Sequence, residues 1–204
     1  MLERFVNKLR NRDSNSLVYN FYKDKGKIDN LNAYLHFMKK QRPTILLVGE
    51  APGYKGCRKT GIPFTSGNIL ALHRLYQPIR TKLTYNKKDK EMTATIVYSV
   101  IDERIFKRCV FWNSFPFHPH EKDKHKTNRP PTSDEIKEGR SYLNLLDNIF
   151  QFEIYAGIGK SGIKCLDMVG CENSFYIRHP SHGGKREFTK GLLKLIWLDM
   201  VRYS

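Results

Sequence analysis

The chain has 204 residues, and its 36 lysines and arginines against 20 aspartates and glutamates give a formal net charge of +16 at pH 7. Such a charge favours a polyanionic partner, either nucleic acid or, as the weaker option, an anionic membrane surface. No apolar run approaches the roughly 20 residues of a membrane-spanning helix, and the N-terminus "MLERFVNKLRNRDSNS" has no apolar signal-peptide core. We therefore expect an intracellular, cytoplasmic monomer, not a membrane protein, built as one domain over residues 1–204.

The first half of the chain contains one predicted strand between helical segments. Residues 1–42 are expected to form a helical preface, because apolar residues recur there at helical spacing. The run "TILLVG" (44–49) is short, apolar and rich in β-type residues, which suits a central strand of a parallel sheet. "SGNILALHRLY" (66–76) predicts a helix with Ser66 as its N-cap. The basic, polar segment "KLTYNKKDKEMTAT" (82–95) predicts a solvated loop.

The second half alternates predicted strands and helices. A strand in "CVFWNSFPF" leads into a loop rich in proline and histidine. A helix follows in "PTSDEIKEGRSYLNLLDNIF", and either Thr132 or Ser133 is its N-terminal capping residue. "FEIYAGIG" predicts a third strand, "KSGIKCLDMVG" a helix, "SFYIRHPSHGG" a fourth strand and "TKGLLKLIWLDMVRY" a closing helix.

Four strands separated by helices predict an α/β fold: a three-layer α/β/α sandwich with a central, mainly parallel four-stranded sheet. Ligands of such sheets bind beyond the carboxyl ends of the strands. The loops that open at Gly49, Asn113, Gly157 and His179 should therefore share one edge.

Three of these loops carry polar residues that suit a ligand site. In "GEAPG", glycines and a proline permit a tight turn, and Glu50 is the first charge after a buried strand. Asn113 follows three apolar residues, and its amide could present a donor and an acceptor to a nucleobase edge or simply cap a turn. In "RHPSHGGKR", His179 is either a structural histidine or an imidazole donor to a developing anion, with the following residues binding phosphate.

Two further patterns and the cysteines favour no site. "YAGIGKSG" fails as a phosphate-binding P-loop, because G-x-x-x-x-G-K-S needs glycine where Ile154 stands. The histidines of "HPHEKDKH" have no accompanying carboxylate or cysteine pattern and predict a basic surface rather than a metal site. Four cysteines, none of them in C-x-x-C spacing, predict reduced thiols and no metal; they are Cys57, Cys109, Cys165 and Cys171.

The order of the motifs resembles that of the uracil-DNA glycosylase superfamily. "GEAPG" after the first strand is followed by "GIPF", by the asparagine of "FWNSFPF", by "NRPPTSDE" and by a late "HPS". The resemblance spans about residues 44–193 and is nearest to bacterial branches whose first motif also reads G-E-A-P-G. It covers neither the first 40 residues nor the Lys-rich insert near residues 80–92.

The resemblance implies a DNA glycosylase that flips a damaged base out of the DNA and hydrolyses its N-glycosidic bond without a metal or organic cofactor. It implies that Phe64 stacks on the base, that Asn113 binds its Watson–Crick edge and that His179 donates to uracil O2. The implied base-binding residues are Gly49, Ala51, Gly53, Tyr54, Phe64 and Asn113, and the implied catalytic residues are Glu50, Asn113 and His179. The implied DNA-binding residues are Lys55, Arg58, Ser181, His182, Gly183, Gly184, Lys185 and Arg186.

The sequence departs from the superfamily pattern at several positions. Members commonly hold the attacking water with Asp or Asn where this chain has Ala51, which leaves Glu50 as the candidate for positioning water or stabilising the cationic sugar. A related branch has a further acid near the position of Gly56 or Cys57. Gly53 replaces the tyrosine that excludes the thymine methyl in the most uracil-restricted branch, so other deaminated bases could be substrates.

Two more departures concern the cysteines and the DNA. Branches with G-E-A-P-G often carry an iron–sulfur cluster, whose cysteine spacings are absent here. No leucine follows "HPS" to fill the gap left by the flipped base, so that role falls to His182, Lys185 or Arg186, unless the last two only bind phosphate.

The sequence thus predicts a monofunctional uracil-DNA glycosylase of base excision repair. The alternative is a non-catalytic DNA-binding relative that lacks an acid at Ala51 and only recognises lesions or DNA shape. A nucleotide-handling α/β enzyme is disfavoured by the failed P-loop.

Overall fold

The computed structural model of the chain describes residues 1–171 and 173–202. Its α-helices and strands in chain order are α1 Leu2–Asn11, β1 Val18–Tyr19, α2 Lys25–Gln41, β2 Ile45–Gly49, α3 Cys57–Thr60, α4 Gly67–Leu72, α5 Met92–Tyr98, α6 Glu103–Arg108, β3 Cys109–Asn113, β4 His118–Pro119, α7 Ser133–Phe150, β5 Ile154–Ile158, α8 Gly159–Met168, β6 Phe175–Ile177 and α9 Lys185–Val201. Short 3-10 helices cover Phe21–Lys23, Arg74–Tyr76 and Arg80–Lys82.

The central sheet has the strand order β3-β2-β5-β6, and all of its strand pairs are parallel. Every residue of β2, an inner strand, and of β3, an edge strand, is buried, as expected for a parallel sheet that is covered on both faces. Helices flank this sheet, which confirms the predicted three-layer α/β/α sandwich. None of the described helices combines the length and the apolar character needed to cross a membrane.

The register of the strands places their carboxyl ends together. Gly49 pairs with Asn113, and Val48 pairs with Gly157. His179 follows β6 by two residues. The polar residues that follow three separate strands therefore meet at one edge of the sheet.

Helix boundaries follow from local capping groups. The Thr132 hydroxyl accepts from the Glu135 backbone N–H, and the Glu135 carboxylate accepts from that of Thr132, so Thr132 rather than Ser133 caps α7. The prediction for Ser66 is only half right: it stands at the N-cap of α4, but its hydroxyl is buried and makes no hydrogen bond within the described residues. The predicted helix ends early, because α4 stops at Leu72 and a 3-10 turn follows.

The N-terminal segment is not helical throughout. Strand β1 lies between α1 and α2 and pairs antiparallel with β4, so that Val18 faces Pro119 and Tyr19 faces His118. Helix α1 packs on α7, where Arg12 Nε donates to a Glu138 carboxylate oxygen at 3.0 Å. Residues outside the superfamily resemblance thereby support the loop that follows β3.

The Lys-rich insert, defined here as residues 80–92, is largely exposed and has no helix or strand over residues 83–91, as predicted for a solvated loop. The prediction is wrong for residues 92–95, which belong to helix α5. The insert is nevertheless attached to the body of the protein. The Asn30 side chain, 1% exposed, accepts from the Thr84 backbone N–H at 2.7 Å and donates to its carbonyl at 2.6 Å. The Asn68 N–H donates to the Asp89 carbonyl at 2.9 Å, and the Asp89 carboxylate pairs with Lys59. These contacts fix both ends of the insert against the body of the protein.

Candidate active site

A cavity of about 710 Å³ opens at the carboxyl edge of the sheet. Residues from all the loops that were predicted to share this edge line the cavity. The predicted site residues that line it are Glu50, Ala51, Gly53, Tyr54, Lys55, Phe64, Asn113 and His179. The structure therefore brings together residues separated by more than a hundred positions.

Phe64 lines the cavity, whereas Gly49, also predicted to bind the base, is not among the lining residues and lies behind the Phe64 ring. A Cβ atom added at Gly49 would lie 2.5 Å from Phe64 Cζ and 3.2 Å from Asn113 Oδ1. The Phe64 ring, which packs against Phe111 with ring centroids 5.3 Å apart, can occupy this position only because residue 49 lacks a side chain. The backbone of Phe64 is left-handed, with φ at 57°, a strained conformation that the surrounding contacts must hold.

Replacing Gly49 with alanine should displace the Phe64 ring, because the contact of 2.5 Å leaves no room for a methyl group. Overpacking of this kind typically destabilises a protein by about 1–3 kcal/mol. We expect a lower unfolding temperature and weaker ligand binding in the cavity. Gly26→Ala is the matched control, since its added Cβ meets only ordinary contacts of 3.4 Å and longer. Equal unfolding temperatures for the two variants would contradict the packing argument.

Asn113 is 5% exposed, and its side chain makes no hydrogen bond within the described residues. A buried amide normally has partners, because leaving its donor and acceptor unpaired is unfavourable. Here the amide lines the cavity instead, so its donor and its acceptor are available to a ligand.

His179 is held in one tautomer by the residue two positions later. Ser181 donates its backbone N–H to Nδ1 at 3.2 Å, and its Oγ lies 2.7 Å from the same nitrogen. Because Nδ1 accepts, the neutral ring carries its proton on Nε2. Burial lowers the pKa of His179, Glu91 opposes this effect, and Arg178 and His182 add to it. His179 is therefore a neutral hydrogen-bond donor at neutral pH.

The backbone around Glu50 is fixed by the segment after β3. Ser114 Oγ donates to the Glu50 carbonyl at 2.7 Å, and the Phe115 N–H donates to it at 3.1 Å. The Glu50 carboxylate makes no hydrogen bond or ion pair within the described residues. Burial raises the pKa of the nearby Cys165 thiol, and the Glu50 charge contributes to the rise.

The outer side of the "GEAPG" turn is held by residues that follow β3. His118, fully buried, donates from Nδ1 to the Pro52 carbonyl at 2.8 Å, and burial lowers the pKa of this histidine. The Asn128 side chain accepts from the Tyr54 N–H at 3.0 Å. The histidine loop, predicted as a basic surface, thus supports the turn, and no group of three or more potential metal ligands occurs in the described part of the chain.

Two of the residues predicted to bind DNA have partners within the protein. The Arg58 guanidinium donates to the His125 carbonyl and lies over the Tyr19 ring at 5.0 Å from its centroid. Burial lowers the pKa of Arg58, and this residue is not among those that line the cavity. Ser181 binds His179 and so acts on the imidazole rather than standing free for phosphate.

The remaining predicted DNA-binding residues lie outside the cavity wall, except for Lys55. His182, Gly183, Lys185 and Arg186 are exposed, whereas Gly184 is buried. Lys185 and Arg186 belong to the first turn of α9, which begins earlier than predicted.

The cavity also contains residues that the sequence did not reveal as functional. They are Glu91, Thr93, Asn128, Lys160, Ser161 and Arg178, among others. Lys160 and Ser161 come from the rejected P-loop segment and reach the cavity as the N-terminal turn of α8. Asn128 is the first residue of the "NRPPTSDE" motif, and this motif is the only sequence feature that points to a functional role for it. Glu91 had no signal, because its placement depends on the folded insert.

The fold and the cavity define the class of α/β proteins that bind ligands at the carboxyl edge of a parallel sheet. Residues 36–200 match the sequence model of the uracil DNA glycosylase superfamily, and the chain belongs to this family. It is therefore a member of a family of DNA glycosylases, hydrolases that act on damaged DNA.

Comparison with solved structures agrees on the fold. The crystal structure of wild-type SMUG2 from Pedobacter heparinus is similar to this chain, with a TM-score of 0.63 and 15% sequence identity. The match covers 100% of this chain and 98% of the SMUG2 chain. At this identity the likeness extends to the fold alone. No curated protein matches the chain.

Proposed function

We propose that this protein excises uracil, and other deaminated bases, from DNA and leaves an abasic site for base excision repair. The observation that carries the proposal is the Asn113 amide, buried in the cavity wall with no hydrogen bond inside the described chain. Its oxygen can accept from N3–H of uracil while its NH2 group donates to O4. The Phe64 ring lines the same cavity and offers a flat apolar surface to the base.

The proposed mechanism follows from the charges that develop on the base and on the sugar. As the glycosidic bond breaks, its electron pair leaves with the base, and the sugar becomes cationic until a water oxygen bonds to C1′. The Nε2–H of neutral His179 is suited to donate to O2 of the departing anion. A neutral donor stabilises this anion without attracting the phosphates of the substrate into the cavity.

Glu50 is the proposed partner of the water or of the cationic sugar. Ala51 has only a methyl group and cannot hold water, whereas the Glu50 carboxylate has no hydrogen-bond partner in the described residues and lines the cavity. A carboxylate stabilises a cation and can accept a proton from the attacking water.

The substrate range is proposed to extend beyond uracil. Gly53 lines the cavity, and the nearest group to its side-chain position is the Asn128 amide, at 3.8 Å. No ring at residue 53 restricts the space around C5 of a pyrimidine, although Tyr54 lines the cavity beside it. Larger deaminated bases are therefore included in the proposal.

DNA binding is supported by charge and by the rim of the cavity. The net charge of +16 attracts the DNA backbone, and the N-terminal turn of α8 supplies Lys160 and backbone N–H groups that suit a phosphate. We propose that a monomer binds the DNA and flips the base, with Arg186 or Lys185 at the gap or on a phosphate.

The test is incubation of the purified protein with oligonucleotides that contain uracil, hypoxanthine or xanthine, single-stranded and paired, followed by alkaline cleavage of abasic sites. Strand breaks at the modified base are the expected result. Tight, salt-sensitive binding with no abasic sites on any substrate would instead identify a DNA-binding relative that recognises lesions without excising them.

A further inference from the structure

The Lys-rich insert delivers a second carboxylate to the cavity. Glu91 lines the cavity together with Thr93, and it stands immediately before helix α5. The insert is fixed in this position by Asn30 at Thr84, and by Asn68 and Lys59 at Asp89. The Glu91 carboxylate is therefore held at the cavity wall, although most of the insert is exposed.

Two backbone donors orient the Glu91 carboxylate. One oxygen accepts from the Thr93 N–H at 2.8 Å, and the other accepts from the Ala94 N–H at 2.6 Å. Each oxygen keeps a lone pair for a further partner. A carboxylate fixed in this way needs no reorganisation when positive charge develops in front of it.

Glu91 also lies beside the segment that follows the first motif. A Cβ atom added at Gly56 would be 3.1 Å from Glu91 Cγ, so Glu91 fills the space that a side chain at residue 56 would take. Its negative charge acts on His179, which lines the same cavity, and raises the pKa of that imidazole against the lowering effect of burial. Arg178 and His182 are the other charged or titratable groups that act on this imidazole.

We propose that Glu91 is a further catalytic residue, whose carboxylate stabilises the positive charge on the deoxyribose during base release. This role rests on the proposed glycosylase function. It adds to the Glu50 carboxylate a second negative charge in a cavity that lacks an acid at Ala51. Glu91 forms no covalent bond in this role, since the water oxygen bonds to C1′ and the base leaves with the electron pair.

The experiment separates this role from simple helix capping. Asp and Asn are both preferred N-cap residues and differ in charge, so Glu91→Asp and Glu91→Asn can both cap α5, but only the first keeps the carboxylate. Glu91→Gln removes the charge at the original length. Glu103→Gln, an exposed acid in the first turn of α6, controls for the change in net charge and its effect on DNA binding.

Single-turnover excision of uracil is expected to slow by about 100-fold or more in Glu91→Asn and Glu91→Gln. Glu91→Asp should retain more activity than Glu91→Asn, and Glu103→Gln should match the wild type. The His179 imidazole, followed by NMR, should titrate at lower pH in the two uncharged variants, because they lack the anion that favours imidazolium.

Wild-type rates in Glu91→Asn and Glu91→Gln would overturn the catalytic role and leave the glycosylase function standing. Equal losses in Glu91→Asp and Glu91→Asn, with an unchanged His179 titration, would reduce Glu91 to a helix cap. A wild-type protein that releases none of the tested bases would overturn the proposed function and this role with it.

Discussion

His179→Ala is expected to slow single-turnover excision by about 10²- to 10³-fold, which is the effect typical of losing one donor to a developing anion. The reason is the fixed tautomer: Ser181 donates its N–H to Nδ1, so Nε2–H is the donor available to the base. His36→Ala, which removes an exposed histidine from α2, is the matched control. A wild-type rate in His179→Ala would remove the imidazole from the mechanism.

The pH dependence of excision tests the same assignment. Protonation of His179 places a proton on Nδ1, where the Ser181 N–H already donates, so imidazolium breaks this hydrogen bond. Because burial holds the pKa of His179 below its ordinary value of 6.5, the neutral form persists through neutral pH and is lost only as the pH falls through that lowered value. Excision should therefore stay constant from neutral to mildly alkaline pH and decline on the acid side, below pH 6.5.

The parallel sheet and its edge were predictable because they depend on short-range patterns. "ILLVG" and "CVFWN" are continuous apolar runs that end on a small or polar residue, so both the buried strand and the first residue of the site are marked in the sequence. Parallel pairing then places the carboxyl ends of both strands at one edge, and the structure adds the register, in which Gly49 pairs with Asn113. The resemblance identified Phe64 and His179 because each belongs to a short motif of consecutive residues, "GIPF" and "HPS".

Other features depend on contacts between distant segments, which a local pattern does not reveal. The positive charge of Arg58 predicts a contact with DNA phosphate. In the structure its guanidinium donates to the carbonyl of His125, 67 positions later. Glu91 looks like one more charge in a polar loop until the contacts of Asn30 and Lys59 fold the insert onto the cavity. The contact of Ser181 with His179 is the exception, because it is local and depends on the turn after β6.

Asn113→Ala should remove base recognition while leaving the fold intact. Two polar groups on the edge of uracil would lose their partners in a buried site, at about 1–3 kcal/mol each, and kcat/KM should fall by about 30-fold to 10⁴-fold. Asn113→Asp should lose as much, because a carboxylate oxygen would face O4 where the amide donates.

The stability of these Asn113 variants distinguishes recognition from structure. The amide makes no hydrogen bond within the described residues, so its removal breaks no internal bond, and the unfolding temperature of Asn113→Ala should stay close to that of Asn148→Ala, an exposed control on α7. A large drop in unfolding temperature would show that Asn113 supports the fold. Full excision activity would show that the base is read by another group, and it would remove the observation on which the proposed function rests.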